Sequence, residues 1–552
     1  MDSKMGRAER LAPWVCGALF ALPVLISKYP PMDDLPLHEA CVGLLRHWGD
    51  AVFAPPTLYR VNIGQANELF SFLVFALSFA MPIGWASKLA VASLLFALPL
   101  ATAHFADHLR SSRWTTLLVA PVGLGFLFFW GLVQNILGLV VLLWLLPSID
   151  RFTIRPSRRG AAAMCGAIVL LHFAHQAMQL AACAAIVACS IGTNLREKPL
   201  LRAAPIGFCL ALAFAANRLA WRMSGPVPAH TQAFLFHEFG HKLTVIPGVL
   251  FGGYEPTIRD LLMLLALIAV GLVASAPRTH AASGSGLRSR VHAWRFEILV
   301  IFLAAVYFSA PAGVHSTALV YHRFLPPAWA VLAVCAGARR SIVRPLTRVA
   351  CATVPLATLL VAWPAFAESD RAYTDLEPLI DQVEIGSSVV ALNLGPQSLH
   401  RLWDPSVAQG HIVAIRGGRS LNDYTWSPNS PVMQRAERQW PSAVAELTIR
   451  PYLFRPAWHF TRFRYLLVWT SKPDLAAMVT LAFASDARLV GQRGDWYLFE
   501  STLKQVPIDA PDAPVPRPAP PSLGKILSGF AREIRDTDPS SEEPRTDGPA
   551  DP

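Results

Sequence analysis

Charged side chains are scarce in this sequence. Asp, Glu, Lys and Arg make up 15% of its 552 residues, whereas a soluble domain carries about a quarter. The deficit excludes an ordinary soluble enzyme of this length, and it is uneven. Up to about Phe366 the chain is a series of apolar runs separated by basic or turn-forming stretches, and beyond Glu368 its composition is that of a soluble domain. Paired cysteines are missing too. Cys16, Cys41, Cys165, Cys183, Cys189, Cys209, Cys335 and Cys351 form no CxxC, and none lies in the last third, which excludes a disulfide framework or zinc ribbon there. The first apolar run, Leu11 to Ile26, has no small-residue cleavage site before Lys28 and is expected to stay as a helix rather than leave as a signal peptide. The C-terminal region lacks a glycine-rich phosphate loop and a nucleophile elbow. The apolar part shows no repeat between its halves and no charged residue central to a run, which argues against a carrier or flippase.

What is present is a polytopic membrane pattern. A bilayer core of about 30 Å needs about 20 apolar helical residues, and the runs approach that length. The net charge of +11 is explained by Arg and Lys in short inter-helix loops, as the positive-inside rule expects, so nucleic acid is not an expected partner. Lys4, Arg7 and Arg10 put the N-terminus in the cytoplasm. The run 68–82 is short, ends in Met81-Pro82-Ile83-Gly84, and is read as interfacial or re-entrant. The runs near 88–107, 115–130, 132–147, 161–175, 177–193, 203–221, 258–276, 296–310, 324–338 and 349–366 then alternate so that every basic cluster lies inside. The expected architecture is an α-helical bundle of about eleven spans over residues 1–366, with outer loops 27–66 and 222–257, in a bacterial inner membrane.

An extracytoplasmic α/β domain is expected over 367–504. Val389–Leu394 and Arg464–Trp469 read as buried strands, and Arg488–Val490 with Trp496–Phe499 as a hairpin. Asp375–Val383 and Pro473–Phe483 read as helices. Residues 505–552 are rich in Pro, Asp and Ser and are expected to be disordered, apart from a short amphipathic helix carrying Leu523, Ile526, Leu527, Phe530 and Ile534.

Two outer clusters have chemistry in them. Asp33-Asp34, just beyond the first helix, offers adjacent carboxylates that can hold a divalent cation or act as a general base; the bland alternative is a solvated loop whose acids cap the next helix. That helix, Leu37–Trp48, reads as amphipathic and interfacial and carries His38 and Glu39. Tyr321-His322-Arg323-Phe324-Leu325-Pro326-Pro327 puts an arginine at a helix mouth, where it can fork onto a phosphate or snorkel to headgroups. His172 and His175 lie in an apolar segment, where ionisable residues are functional candidates by default; at a tight hairpin turn near the outer surface the bland alternative, which is favoured, is that they are interfacial residues.

In layout these features resemble the GT-C superfamily of polyprenyl-phosphate-sugar-dependent glycosyltransferases, including the protein-mannosyltransferase-like and lipid A aminoarabinose transferase-like enzymes. Asp33-Asp34 sits where that family has its first-loop acid. Arg323-Phe324-Leu325-Pro326 resembles its late Arg-Tyr-x-x-Pro segment. Trp130-Gly131-Leu132-Val133-Gln134-Asn135-Ile136-Leu137-Gly138 resembles a stretch of uncharacterised bacterial members. The acid pair is followed by Leu35-Pro36-Leu37-His38 rather than the family's small or aromatic and basic residues, and the next outer loop has no second acidic pair. The resemblance implies inverting transfer of a sugar from a polyprenyl-phosphate donor to an envelope glycan, lipid or protein. Asp33 or Asp34 would deprotonate the acceptor or help hold a metal, and Arg323, with His322, would stabilise the departing phosphate. A non-catalytic relative is the quiet alternative.

A sharper string competes. His237-Glu238-Phe239-Gly240-His241 is a literal HExxH, which in zinc proteases puts two histidines on one helix face beside a water-activating Glu. It requires a helix through both histidines and a third ligand, and Glu255 is the nearest downstream carboxylate. The same three residues, with His38 and Glu39, are alternatively contacts for an acceptor or a divalent cation.

Overall fold

The computed structural model describes residues 6–191, 193, 198–224, 234–252, 257–274, 291–314, 317–337, 345–395, 404–427, 429–435, 438–440, 444, 447 and 451–506. Apolar runs fold into helices because a helix satisfies its own backbone polar groups where water is absent. The main ones are α1 (Arg7–Ile26), α2 (Leu35–Arg46), α3 (Leu69–Leu77), α4 (Ile83–His108), α5 (Val133–Ile154), α6 (Arg158–Ala174), α7 (Gln176–Ser190), α8 (Pro199–Ser224), α9 (Phe239–Thr244), α10 (Ile258–Ala274), α11 (Arg295–Ser309), α12 (Leu325–Ala336) and α13 (Pro345–Ile380). Among the described residues, α1, α4, α5, α8 and α13 contain a stretch long and apolar enough to cross a membrane. Their outward faces are apolar, with Trp14 and Leu22 on α1, Leu210 and Phe214 on α8, and Leu356 and Leu360 on α13 all exposed. Lipid satisfies such faces; water does not.

α4 and α5 tie two polar ends together. At one end His108 Nε2 lies 2.7 Å from Asp150 Oδ2, and Arg295 donates to both Asp150 oxygens at 2.5 and 2.8 Å. This buried fork joins α4, α5 and α11. At the other end lie Asp34, Gln134 and the start of α4, against a second domain.

Two expectations change in detail, while the short run 68–82, read as interfacial or re-entrant, holds a helix that does not span. The run near 115–130 is not one continuous helix: a 3-10 segment, Arg113–Val119, leads into one-turn helices at Ala120–Gly123 and Phe126–Phe129. Gly125 permits this break, since a Cβ there would stand 2.3 Å from the carbonyls of Pro121 and Leu250. α3 is nine residues, roughly 14 Å, too short to span. The last apolar helix does not end at 366. α13 continues for 36 residues to Ile380, roughly 54 Å, so the segment expected as a separate helix near 375–383 is largely its extension.

That extension carries the C-terminal domain. Its strands are β2 (Ser388–Asn393), β3 (Arg419–Ser420), β5 (Tyr465–Trp469), β6 (Ala487–Arg493) and β7 (Trp496–Ser501), in the order β3-β2-β5-β7-β6. β2 runs parallel to β3 and β5, and β7 antiparallel to β5 and β6. A separate pair joins β1 (Tyr59–Val61) of the first outer loop to β4 (Val432–Gln434). α14 (Gln409–Arg416) and α15 (Pro473–Phe483) complete the domain. Trp496 Nε1 donates to the Ala372 carbonyl at 2.9 Å, which seats the sheet on α13. The expected disordered tail and its amphipathic helix lie outside the described residues.

The two domains meet backbone to backbone. A Cβ on Gly43 of α2 would lie 2.7 Å from the Ala414 carbonyl oxygen, and one on Gly410 would lie 2.6 Å from Pro36 backbone atoms. α2, expected as an interfacial helix, is therefore buried from Leu35 to Leu45; its polar face meets protein rather than headgroups. Gly43→Val is expected to cost about 3 kcal/mol by overpacking, read as a lower thermal midpoint in detergent. Gly207→Ala, where a Cβ meets nothing within 4 Å, serves as the neutral control.

Candidate functional site

Asp33 and Asp34 close the turn between α1 and α2. Their backbone N–H groups donate to the carbonyls of Phe129 and Trp130 at 2.9 and 3.0 Å. Gly131, at φ +82°, makes that approach possible, because a Cβ there would stand 2.6 Å from Asp34 N and 2.8 Å from Asp34 Cβ. Three residues on, Gln134 Nε2 lies 3.0 Å from His38 Nε2. Gly138 lets α5 close on α7, since a Cβ there would meet His175 Cβ at 2.7 Å. The Trp130–Gly138 stretch singled out in the sequence is thus the cradle of the acid pair.

The acids are not a solvated cap. Asp34 is 6% exposed, and its side chain makes no capping bond to α2. Tyr424 and the Arg323 guanidinium instead lie within electrostatic reach of its carboxyl. Among the described residues its Oδ2 has no hydrogen-bond partner. Burial pushes the Asp34 carboxyl up to about 7, with Tyr424 and then Arg323 opposing the rise. Asp33, partly exposed, is held above the usual carboxylate range by desolvation and by the neighbouring Asp34 and Asp404 carboxylates. Its Oδ1 accepts the Asp404 backbone N–H at 3.0 Å. Asp33 ties the loop to the C-terminal domain, and Asp34 faces inward.

Arg323 precedes α12, and its Nη1 lies 3.1 Å from Nε2 of His175. His322 points away from the acids. It stacks on Tyr321 and Phe126 at centroid distances of 3.9 and 5.0 Å, so the expected His322–Arg323 pair faces two ways. His38 is buried against Gln134 and the Tyr424 ring, 5.0 Å away, and burial lowers its imidazole to about 3, leaving it neutral at physiological pH. Glu39 sits on another face of α2, bound by the Ser87 hydroxyl and by His411 Nδ1 at 2.9 Å. It belongs to the domain interface rather than to the acid pair.

The HExxH residues do not share a helix. α9 starts at Phe239, so His237 and Glu238 precede it, and Glu238 is exposed. The His237 and His241 rings lie 4.5 Å apart, and His237 Nδ1 is 3.2 Å from the Tyr321 hydroxyl. Glu255 lies outside the described residues. Among the described residues no three His, Cys, Asp or Glu side chains converge to hold a metal ion; Asp33, Asp34 and Asp404 are neighbours without forming the oxygen cage a divalent cation requires.

Four site residues were not singled out as functional in the sequence: Gln134, His175, Asp404 and Tyr424. Gln134 lies inside the quoted stretch, and for His175 the sequence favours the interfacial of its two readings. Tyr424 and Asp404 carry no local signal, since they reach the site only because the C-terminal domain folds back over α2.

No protein-family model matches the chain, and no curated protein matches it. Among solved structures it is similar to ArnT from Cupriavidus metallidurans bound to undecaprenyl phosphate, with 12% identity and a TM-score of 0.49 over 91% of this chain and 99% of that one.

Proposed function

We propose that this protein is an integral membrane glycosyltransferase of a bacterial inner membrane, moving a sugar from a polyprenyl-phosphate donor to an extracytoplasmic acceptor. One observation carries the reading: a buried carboxylate, Asp34, with an oxygen unpartnered among the described residues, lies within electrostatic reach of the half-buried Arg323 where the helical bundle meets the C-terminal domain. The donor class follows from the sequence resemblance, and the chemistry from the pair. A carboxyl poised near neutrality is suited to general-base work. Asp34 Oδ2 takes the proton of the acceptor hydroxyl as its oxygen attacks the anomeric carbon. The bond from that carbon to the phosphate oxygen breaks, and the polyprenyl phosphate leaves with the electron pair. Arg323 stabilises the charge developing on that oxygen, where a preorganised donor is worth most. No step is routed through a cation, because the described side chains do not form a site for one. The N-terminus is assigned to the cytoplasm and the acid pair to the opposite face.

The test is transfer of radiolabelled sugar from a polyprenyl-phosphate pool into envelope glycans, at matched expression. Native protein is compared with Asp34→Asn, Asp33→Asn and Glu238→Gln. Loss confined to the aspartate variants supports the assignment. Normal transfer in Asp34→Asn, with a zinc-dependent activity lost in Glu238→Gln, replaces it with the protease.

A further inference from the structure

We infer that His175 is a second hydrogen-bond donor to the departing phosphate, its Nε2–H acting beside the Arg323 guanidinium. The inference deepens the glycosyltransferase reading and rests on it.

The joint between α6 and α7 fixes the ring. His175 N donates to the Leu171 carbonyl at 2.7 Å and closes α6. Its own carbonyl accepts from the Met178 and Gln179 N–H groups at 3.0 and 3.1 Å and opens α7. The first outer loop clamps the same turn. Asn67 N donates to the His172 carbonyl at 3.1 Å, and Asn67 Oδ1 accepts the Gln176 N–H at 2.9 Å. On another side α5 closes in, since a Cβ on Gly138 would meet His175 Cβ at 2.7 Å. His175 is 3% exposed, held from three directions.

Both ring nitrogens then meet donors. The Ala177 N–H donates to Nδ1 at 3.2 Å, capping α7, and Arg323 Nη1 lies 3.1 Å from Nε2. A neutral imidazole has one N–H and one acceptor, an imidazolium has no acceptor, and a guanidinium has only donors. At least one of the two contacts therefore sets donor against donor. The Ala177 N–H is fixed in the first turn of a helix, whereas Arg323 has five N–H groups on a flexible stem. Nδ1 keeps the backbone bond, and the ring proton stands on Nε2, against Arg323. Accepting from a helix N-terminus also polarises the ring and strengthens Nε2–H as a donor.

Two donors 3.1 Å apart are relieved by one oxygen that accepts from both, and a charged oxygen does so about twice as strongly as a neutral one. In the proposed reaction the leaving group supplies it. As the bond from the anomeric carbon to the phosphate oxygen breaks, the electron pair stays on the phosphate. Nε2–H and Arg323 then share the charge that develops there. His175 keeps its proton throughout, so the step gains no proton transfer.

The test uses full-length protein in lipid nanodiscs, with farnesyl phosphate as the probe. Nitrogen-15 NMR of labelled histidine reads which ring nitrogen carries the proton, the His175 signals being those lost in His175→Gln. The proton is expected on Nε2, whose signal shifts with farnesyl phosphate and stays still with farnesol. His175→Asn keeps the cap but removes the distal donor, and is expected to bind farnesyl phosphate about tenfold more weakly. His175→Gln loses the cap but carries an N–H about where Nε2 stands, and should recover to within about threefold of native. A merely structural role reverses that order, because the cap is what Asn preserves. A proton on Nδ1, or binding that is unchanged or equally weakened in both variants, overturns the inference and leaves the glycosyltransferase reading standing. Undiminished transfer by Asp34→Asn, with the probe bound at His175 as expected, overturns that reading instead. Native protein that does not bind farnesyl phosphate overturns both.

Discussion

Asp34→Asn is expected to reduce sugar transfer by about a hundred- to ten-thousandfold, the range set by losing a general base, while Asp33→Asn loses about tenfold or less. Both are acids in one turn, so the asymmetry is informative. Asp33 spends its Oδ1 on the Asp404 N–H, and an asparagine carbonyl accepts that bond equally well. Asp34 faces Arg323 and Tyr424 and has an oxygen with no partner among the described residues, and an amide cannot take a proton there. A stability readout separates this from misfolding. The Asp34 carboxyl stands at about 7 in the folded protein, above its ordinary 3.8, so the native state binds its proton more tightly than the unfolded chain does. Stability from this group is fully present below its unfolded pKa and is lost as pH rises toward 7. Asparagine removes that dependence. The variant is therefore expected to have a higher thermal midpoint than native protein at pH 8, with the difference narrowing as pH falls to 5 and closing below the unfolded pKa of 3.8. An inactive variant that is more stable at pH 8 marks a residue kept for chemistry.

Gly131→Ala is expected to lower transfer by at least about a hundredfold, although residue 131 contacts the acids only through the backbone. The misplacement of a reacting group by an ångström can cost that much. Here the added methyl would overlap both Asp34 N and Asp34 Cβ, at a φ of +82° that disfavours any side chain. Only two relaxations are open. Either the turn Phe129–Leu132 unwinds and releases the Asp33 and Asp34 N–H groups, or Asp34 withdraws from Arg323. Both separate base from arginine. Gly166→Ala, where a Cβ meets nothing within 4 Å, is expected to transfer sugar as the native protein does. Equal activity of Gly131→Ala and native protein would mean that the Trp130–Gly138 stretch does not position the acid pair.

The same cradle shows where linear reading stops. The Trp-Gly-Leu-Val-Gln-Asn string stood out as a pattern, but its task became visible only when the carbonyls of Phe129 and Trp130 met the N–H groups of Asp33 and Asp34. HExxH was the sharper motif as text. It lost its meaning in three dimensions because the helix begins after Glu238, which separates the two histidines from the one-face geometry that zinc requires.

By itself the sequence determined the helical membrane class, the position of the C-terminal α/β domain, its main strands and the acid–arginine candidates. These depend on local quantities: apolar run length against bilayer thickness, short buried runs bounded by turns, and adjacent acids or an arginine placed at the mouth of an apolar helix. The tertiary structure alone decided that α2 is buried rather than interfacial, that Asp34 rather than Asp33 faces Arg323, and that Asp404 and Tyr424 complete the site. Each of these turns on a contact between residues hundreds of positions apart, such as Asp33 with Asp404 or Gly43 with Ala414. Such contacts are set by how closely two backbones can approach, which no periodicity along the chain encodes.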